Sequence, residues 1–174
     1  MDIFNISIYG LQKIFNFCDF KSQLYLSSCC KFLNNNLLIA DLYNINDNIR
    51  SLLNDKILKQ TKYKHVTKLY ASCNKKIKDV KFQFWNLVSQ MASTLKNLNA
   101  GGYCGIDQNG IKYLHLIKLY GNEKIKDVSQ MASTLKILYA GVNCGIDQNG
   151  IKDLHLTKLN ASNNEKIKDV NHCF

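Results

Sequence analysis

Leu135-Lys-Ile-Leu-Tyr-Ala-Gly-Val-Asn-Cys-Gly-Ile146 is one of five segments that share a single apolar frame. The frame aligns Val66/Leu69/Ala71, Leu95/Leu98/Ala100, Leu116/Leu119/Gly121, Leu135/Leu138/Ala140 and Leu156/Leu159/Ala161. From Leu95 onward the starts lie 21, 19 and 21 residues apart. Longer copies overlie this short period. Ser89 to Lys96 recurs as Ser129 to Lys136, forty positions on, and Cys104 to Lys112 recurs as Cys144 to Lys152 at the same offset. Segments opening at His65, His115 and His155 each end in Lys-Ile-Lys-Asp-Val, at residues 76–80, 124–128 and 166–170.

A period near 20 with L-x-x-L-x-(L/A)-x-x-N/C resembles the leucine-rich repeat. The polar or thiol slot holds Asn74, Cys104, Cys144 and Asn164, followed by Ile77, Ile106, Ile146 and Ile167. The second Leu and the small residue two places on alternate at the period of a strand, so both point inward from one short strand per repeat. Stacked strands then form a parallel sheet on the concave side, with turns and short helices on the convex side. Asn at the turn can satisfy backbone groups that would otherwise be buried unpaired. Cys fills the same narrow space as a small apolar residue. Strands are expected to start near Val66, Leu95, Leu116, Leu135 and Leu156, and Ile125/Val128 and Ile167/Val170 to return the convex limb to the core. Lys81 to Val88 interrupts the period and reads as a longer convex helix with Phe82, Trp85 and Val88 on one side. The chain closes on Asn171-His-Cys-Phe174 with no evident capping helix, which suggests a truncated or dimerising array.

With 46% apolar and 21% charged residues, the 174-residue chain has the composition of a folded protein. No apolar run reaches the ~20 residues that span a bilayer, and Met1 to Asn5 lacks the basic start of a secretory signal. These features point to an intracellular protein, in cytoplasm or nucleus, without a membrane partner. Its cysteines, Cys29-Cys30 included, lack the spacing of zinc ligands and read as free thiols. In residues 1–50 Lys13, Lys21, Lys31 and Arg50 balance Asp2, Asp19, Asp41 and Asp47, so the whole net charge of +10 lies in residues 51–174. An acidic partner or a nucleic acid would be attracted there. Arg50 is the one arginine, which counts against nucleic acid.

Residues 1–45 share no repeat. Ile8-x-x-Leu11-x-x-Ile14-Phe15 gives a short amphipathic helix, Asp19-Phe-Lys-Ser a helix boundary with capping residues, and Leu24, Leu26 and Phe32 mark two further helices. This run, with Cys30-Lys31-Phe32 at its end, resembles the F-box, the adaptor-binding module of cullin–RING ubiquitin-ligase receptors. Ile6-Ser-Ile8 stands where that family has Leu-Pro. The whole chain resembles the F-box/leucine-rich-repeat proteins that giant DNA viruses encode in large numbers. The resemblance implies an α+β fold in which a short helical bundle (1–45) and a linker or capping helix (46–64) precede a leucine-rich-repeat solenoid (65–174). It also implies docking of a Skp-type adaptor through Ile8, Leu11, Ile14, Phe15, Leu24, Leu26 and Phe32. The alternative is that residues 1–45 simply cap the repeats.

No phosphate-binding loop, nucleophile elbow or zinc-protease motif is present. His115 or His155 with Cys104 or Cys144 could form a catalytic couple, but a histidine that opens three repeats occupies a structural slot. The chain therefore reads as a non-enzymatic binder without cofactor or metal. Its candidate target-binding residues point away from the core on the strands: Lys68, Tyr70, Asn99, Lys118, Tyr120, Tyr139, Lys158 and Asn160. Tyrosines in one row and lysines in the next suit a protein target with an acidic patch. Binding of single-stranded nucleic acid is the remaining alternative.

Overall fold

The computed structural model describes residues 7–80 and 93–174. Six short strands form one parallel sheet in strict chain order: β1 (Asp41–Leu42), β2 (Lys68–Tyr70), β3 (Asn97–Asn99), β4 (Lys118–Tyr120), β5 (Ile137–Tyr139) and β6 (Lys158–Asn160). The register stacks Leu42, Leu69, Leu98, Leu119, Leu138 and Leu159 in one row. Beneath them Val66, Leu95, Leu116 and Leu135 are fully buried, as are Ala71, Ala100 and Ala140. Burying each such aliphatic side chain contributes roughly 1.5–3 kcal/mol, and no single repeat could bury that row alone. The strands begin two residues after the expected starts, because the first apolar residue turns inward just before the ladder forms.

β1 had no counterpart in the sequence alignment. It pairs with β2 through Asp41↔Lys68 and Leu42↔Leu69, so a boundary at residue 45 falls inside the first repeat. Residues 46–64 are not one helix. They form α4 (Asp47–Leu52), α5 (Asp55–Leu58) and a 3-10 turn (Thr61–Tyr63). Asn46 accepts from Ile49 N at 2.9 Å and Asn54 from Ile57 N at 3.0 Å. Each asparagine thus restarts the helix by competing for its first N–H groups. Leu53 and Leu58 are buried, so this stretch is the return limb of the first repeat.

Ahead of the sheet lie α1 (Ile8–Phe17), α2 (Phe20–Ser28) and α3 (Lys31–Asn36). Asp19 caps α2, accepting from Ser22 N at 2.8 Å. That bond foremost holds its carboxyl below the usual range. Phe15 is fully buried, and Gln12 clamps Leu38 in both directions: its Nε2 donates to the Leu38 carbonyl at 2.9 Å and its Oε1 accepts from Leu38 N at 2.8 Å. The helices are thereby fastened to the first repeat.

Successive repeats alternate between two kinds. Those built on β2, β4 and β6 carry a buried asparagine that reaches back to the repeat before it. Asn122 Nδ2 donates to the carbonyls of Ala100 and Ile106, both at 2.9 Å, and its Oδ1 accepts from Lys124 N at 2.8 Å. Asn74 does the same with Arg50, Leu53 and Lys76, and Asn164 with Ala140, Ile146 and Lys166. The intervening repeats place buried Cys104 and Cys144 in that slot. Their glycines let backbones touch: a Cβ on Gly105 would lie 2.5 Å from the Ile77 carbonyl oxygen and 2.6 Å from that of Lys75. On the convex side Gln108, at the start of α6 (Gln108–Ile111), accepts from Lys126 N and Asp127 N and donates to the Asp127 carbonyl. Gln148 repeats this with Lys168 and Asp169.

At the last strand the packing thins, with Leu159, Ile167 and Val170 half-buried. A 3-10 turn (Asn171–Cys173) tucks Cys173 against it, and the Cys173 carbonyl accepts from Leu156 N. Ile125 and Val128 are fully buried, as their spacing required. The expected helix carrying Phe82, Trp85 and Val88 lies outside the described residues. Among the described residues no helix is long and apolar enough to cross a membrane.

Candidate functional site

Each strand from β2 to β6 is a three-residue unit whose middle leucine points inward, leaving its first and third side chains on the opposite face. The register therefore builds two rows across the sheet. One holds Lys68, Asn97, Lys118, Ile137 and Lys158; the other holds Tyr70, Asn99, Tyr120, Tyr139 and Asn160. Neighbouring parallel strands lie ~4.8 Å apart, so rings on adjacent strands can stack. Tyr120 and Tyr139 do so, with centroids 3.9 Å apart and planes at 6°. Tyr43, just past β1, extends the row and meets Tyr70 edge-on at 5.3 Å and 77°.

Asn99 does not join this surface as expected. Its Oδ1 accepts from Gly101 N at 3.0 Å and only 8% of the residue is exposed, because the turn after β3 needs that acceptor. Asn160 makes the equivalent bond to Ser162 N at 3.0 Å but stays exposed on the last strand.

The two ends of the face differ in charge. Toward β1 each cation has a carboxylate: Lys68 Nζ lies 3.4 Å from Asp41, and Arg50 pairs with Asp47. The Arg50 guanidinium also lies 4.0 Å over the Tyr70 ring and donates to the Ile45 carbonyl at 2.7 Å. Arg50 was not singled out in the sequence, since nothing in its helical context places it beside a strand tyrosine. Its Nε is buried with no hydrogen-bond partner among the described residues, on one wall of a groove of about 530 Å³ between α4 and the turn Ser72–Lys76. Toward β6 the cations meet rings instead. Lys118 Nζ sits 5.1 Å from the Tyr120 centroid and 5.5 Å from that of Tyr139, and Lys158 Nζ 5.6 Å from Tyr139. Among the described residues neither lysine forms an ion pair.

The phenols are tuned in opposite directions. Burial foremost, then its hydrogen bond with Tyr139, pushes Tyr120 up. Tyr139 is drawn down, first by that same bond and then by Lys158.

The seven residues expected to meet an adaptor divide. Phe15 is fully buried and belongs to the core; its place is a correction to that set, since α1 spends this ring on the first repeat. Leu11, Leu24 and Leu26 are partly buried against the same core. Ile8, Ile14 and Phe32 are exposed, and so are Phe17 and Tyr25, which stand outside that set of seven. Of the Cys–His candidates, Cys104 and Cys144 are buried and their thiols pushed up by that burial, whereas His115 and His155 are exposed. A buried neutral thiol is a poor nucleophile. Among the described residues no group of three or more His, Cys, Asp or Glu could hold a metal ion. Comparison with protein-family models, curated proteins and solved structures finds no match to this chain.

Proposed function

We propose that this chain is a non-catalytic interaction protein, a leucine-rich-repeat array that captures a protein partner on the outward face of its sheet. The observation that carries the reading is the register. It aligns Tyr70, Tyr120 and Tyr139 beside Lys68, Lys118 and Lys158 on the outward face of the sheet, with Tyr43 packed against Tyr70. Rigid aromatic rings with little entropy to lose are the usual anchors of protein interfaces. The repeat assignment draws support from one short parallel strand per repeat, spaced 19–21 residues from β3 onward, and from a recurring buried asparagine.

We further propose that the N-terminal helices serve as an F-box, docking a Skp-type adaptor so that the captured partner is ubiquitylated by the other subunits of a cullin–RING ligase. Exposed Ile8 and Ile14 on α1 and Phe32 on α3 support this. The rival reading, a pure cap, draws on buried Phe15 and the Gln12–Leu38 clamp. The two are separable by affinity purification of the full chain. Ile14→Asp and Phe32→Asp should lose the adaptor and keep the target; Tyr120→Ala with Tyr139→Ala should lose the target and keep the adaptor. Absence of any adaptor, with wild type and Ile14→Asp alike, ends the ubiquitin reading and leaves the cap.

A further inference from the structure

The charge along the sheet face is one-sided. Lys68 and Arg50 are neutralised within the chain, but Lys118 on β4 and Lys158 on β6 flank β5 and lean over the same Tyr139 ring, and among the described residues neither forms an ion pair. The Tyr139 hydroxyl, on a ring stacked against Tyr120 with Lys158 Nζ 5.6 Å from its centroid, brings an O–H donor to the same place. Two ammonium groups and a hydroxyl donor thus converge over a stiff floor of stacked rings.

The chain itself shows what such a lysine takes. At the other end of the same row the carboxylate of Asp41, at the register position beside Lys68, closes to 3.4 Å. We infer that the β4–β6 end of this face binds the carboxylates of an extended acidic peptide segment, with Lys118 and Lys158 as counter-charges and the Tyr139 hydroxyl as donor. This rests on the reading of the sheet face as the capture surface and gives its partner a chemistry. A single-stranded nucleic acid fits less well. Its bases need free ring faces, whereas Tyr120 and Tyr139 face each other and their own lysines.

The probes are decaglutamate, decaglutamine and a deoxythymidine decamer, titrated into the full chain at moderate salt. Decaglutamate should bind and decaglutamine should not. Lys118→Ala and Lys158→Ala, each at the surface and leaving the thermal melt in place, should each weaken binding roughly fivefold, the scale of an exposed ion pair. Lys68→Ala, whose partner is internal, should cost less than about twofold. A second readout is the alkaline absorbance titration. Saturating decaglutamate should move the most acidic tyrosine upward, because the added anions offset the cations that hold it down, and Tyr139→Phe should abolish that movement. Equal losses from all three lysines would mean diffuse attraction and overturn the inference, as would equal affinity for decaglutamine or tighter binding of deoxythymidine. If decaglutamate fails to bind while target capture still depends on Tyr120 and Tyr139, this inference falls alone. If capture ignores those tyrosines, the reading beneath it falls too.

Discussion

Tyr63 shows how one side chain ties stability to solution conditions. It closes the 3-10 turn after α5, is 3% exposed, and burial pushes its phenol from 10.0 up to about 12. In the unfolded chain the phenol ionises near its ordinary value, whereas in the fold it stays neutral for longer. The sign follows: the contribution is intact below pH 10 and is lost as pH rises from 10 to 12, on the order of 2 kcal/mol in all. Urea melts should therefore show wild type losing stability relative to Tyr63→Phe as pH climbs through that window. A constant gap between them would contradict the assignment. The same contrast between chemistry and place governs the thiols. Cys104 and Cys144 are legible as slot residues from spacing alone, but only burial explains why they are inert.

Between neighbouring repeats, two devices carry the coupling. One is a buried amide that spans to the preceding repeat; the other is a glycine that lets backbones meet. Asn122→Ala removes three hydrogen bonds and strands two buried carbonyls, so it should cost about 2–4 kcal/mol in a denaturant melt. Gly145→Ala drives a Cβ onto the carbonyl oxygens of Glu123 and Ile125, backbone that cannot swing aside, and should cost roughly 1–3 kcal/mol. Gly141→Ala is the control. Its Cβ would meet the Ser162 carbonyl oxygen at 3.2 Å, so its cost should be the smaller. Equal effects at the two glycines would refute the close-approach argument. The Asn-slot alignment anticipated Asn74 and Asn164 but omitted Asn122. Its repeat is two residues shorter than its counterpart, so fixed spacing missed it while hydrogen bonding reveals it.

Over the whole molecule, stability should follow position in the stack, since each repeat leans chiefly on its neighbours. The repeat around β4 is covered on both sides, and Leu119, Ile125 and Val128 are fully buried. The repeat around β6 is covered on one side, and its equivalents Leu159, Ile167 and Val170 are half-buried. Native-state hydrogen exchange should report this directly: amides of β6 and of the turn Asn164–Ile167 should exchange ahead of those of β4 and Asn122–Ile125. Uniform protection along the stack would instead mean that the chain opens as one unit. At the opposite end the helices α1–α3 supply the cover that β6 lacks, through Phe15 and the Gln12 clamp.

Periodicity alone determined the repeat, the inward leucine row and the two outward rows, because a strand's two-residue alternation and a 19–21-residue period leave few other ways to bury those leucines. It missed the first strand, since Asp41–Leu42 carries the frame in two residues without a copied flank. It could not separate Phe15, which the core takes, from Ile14, which it leaves to solvent; adjacent apolar residues on a short helix differ only in what packs against them. The charge polarity of the sheet face likewise belongs to the tertiary structure. Which lysines find a carboxylate depends on distances between strands that are remote in the chain, and composition records only their sum.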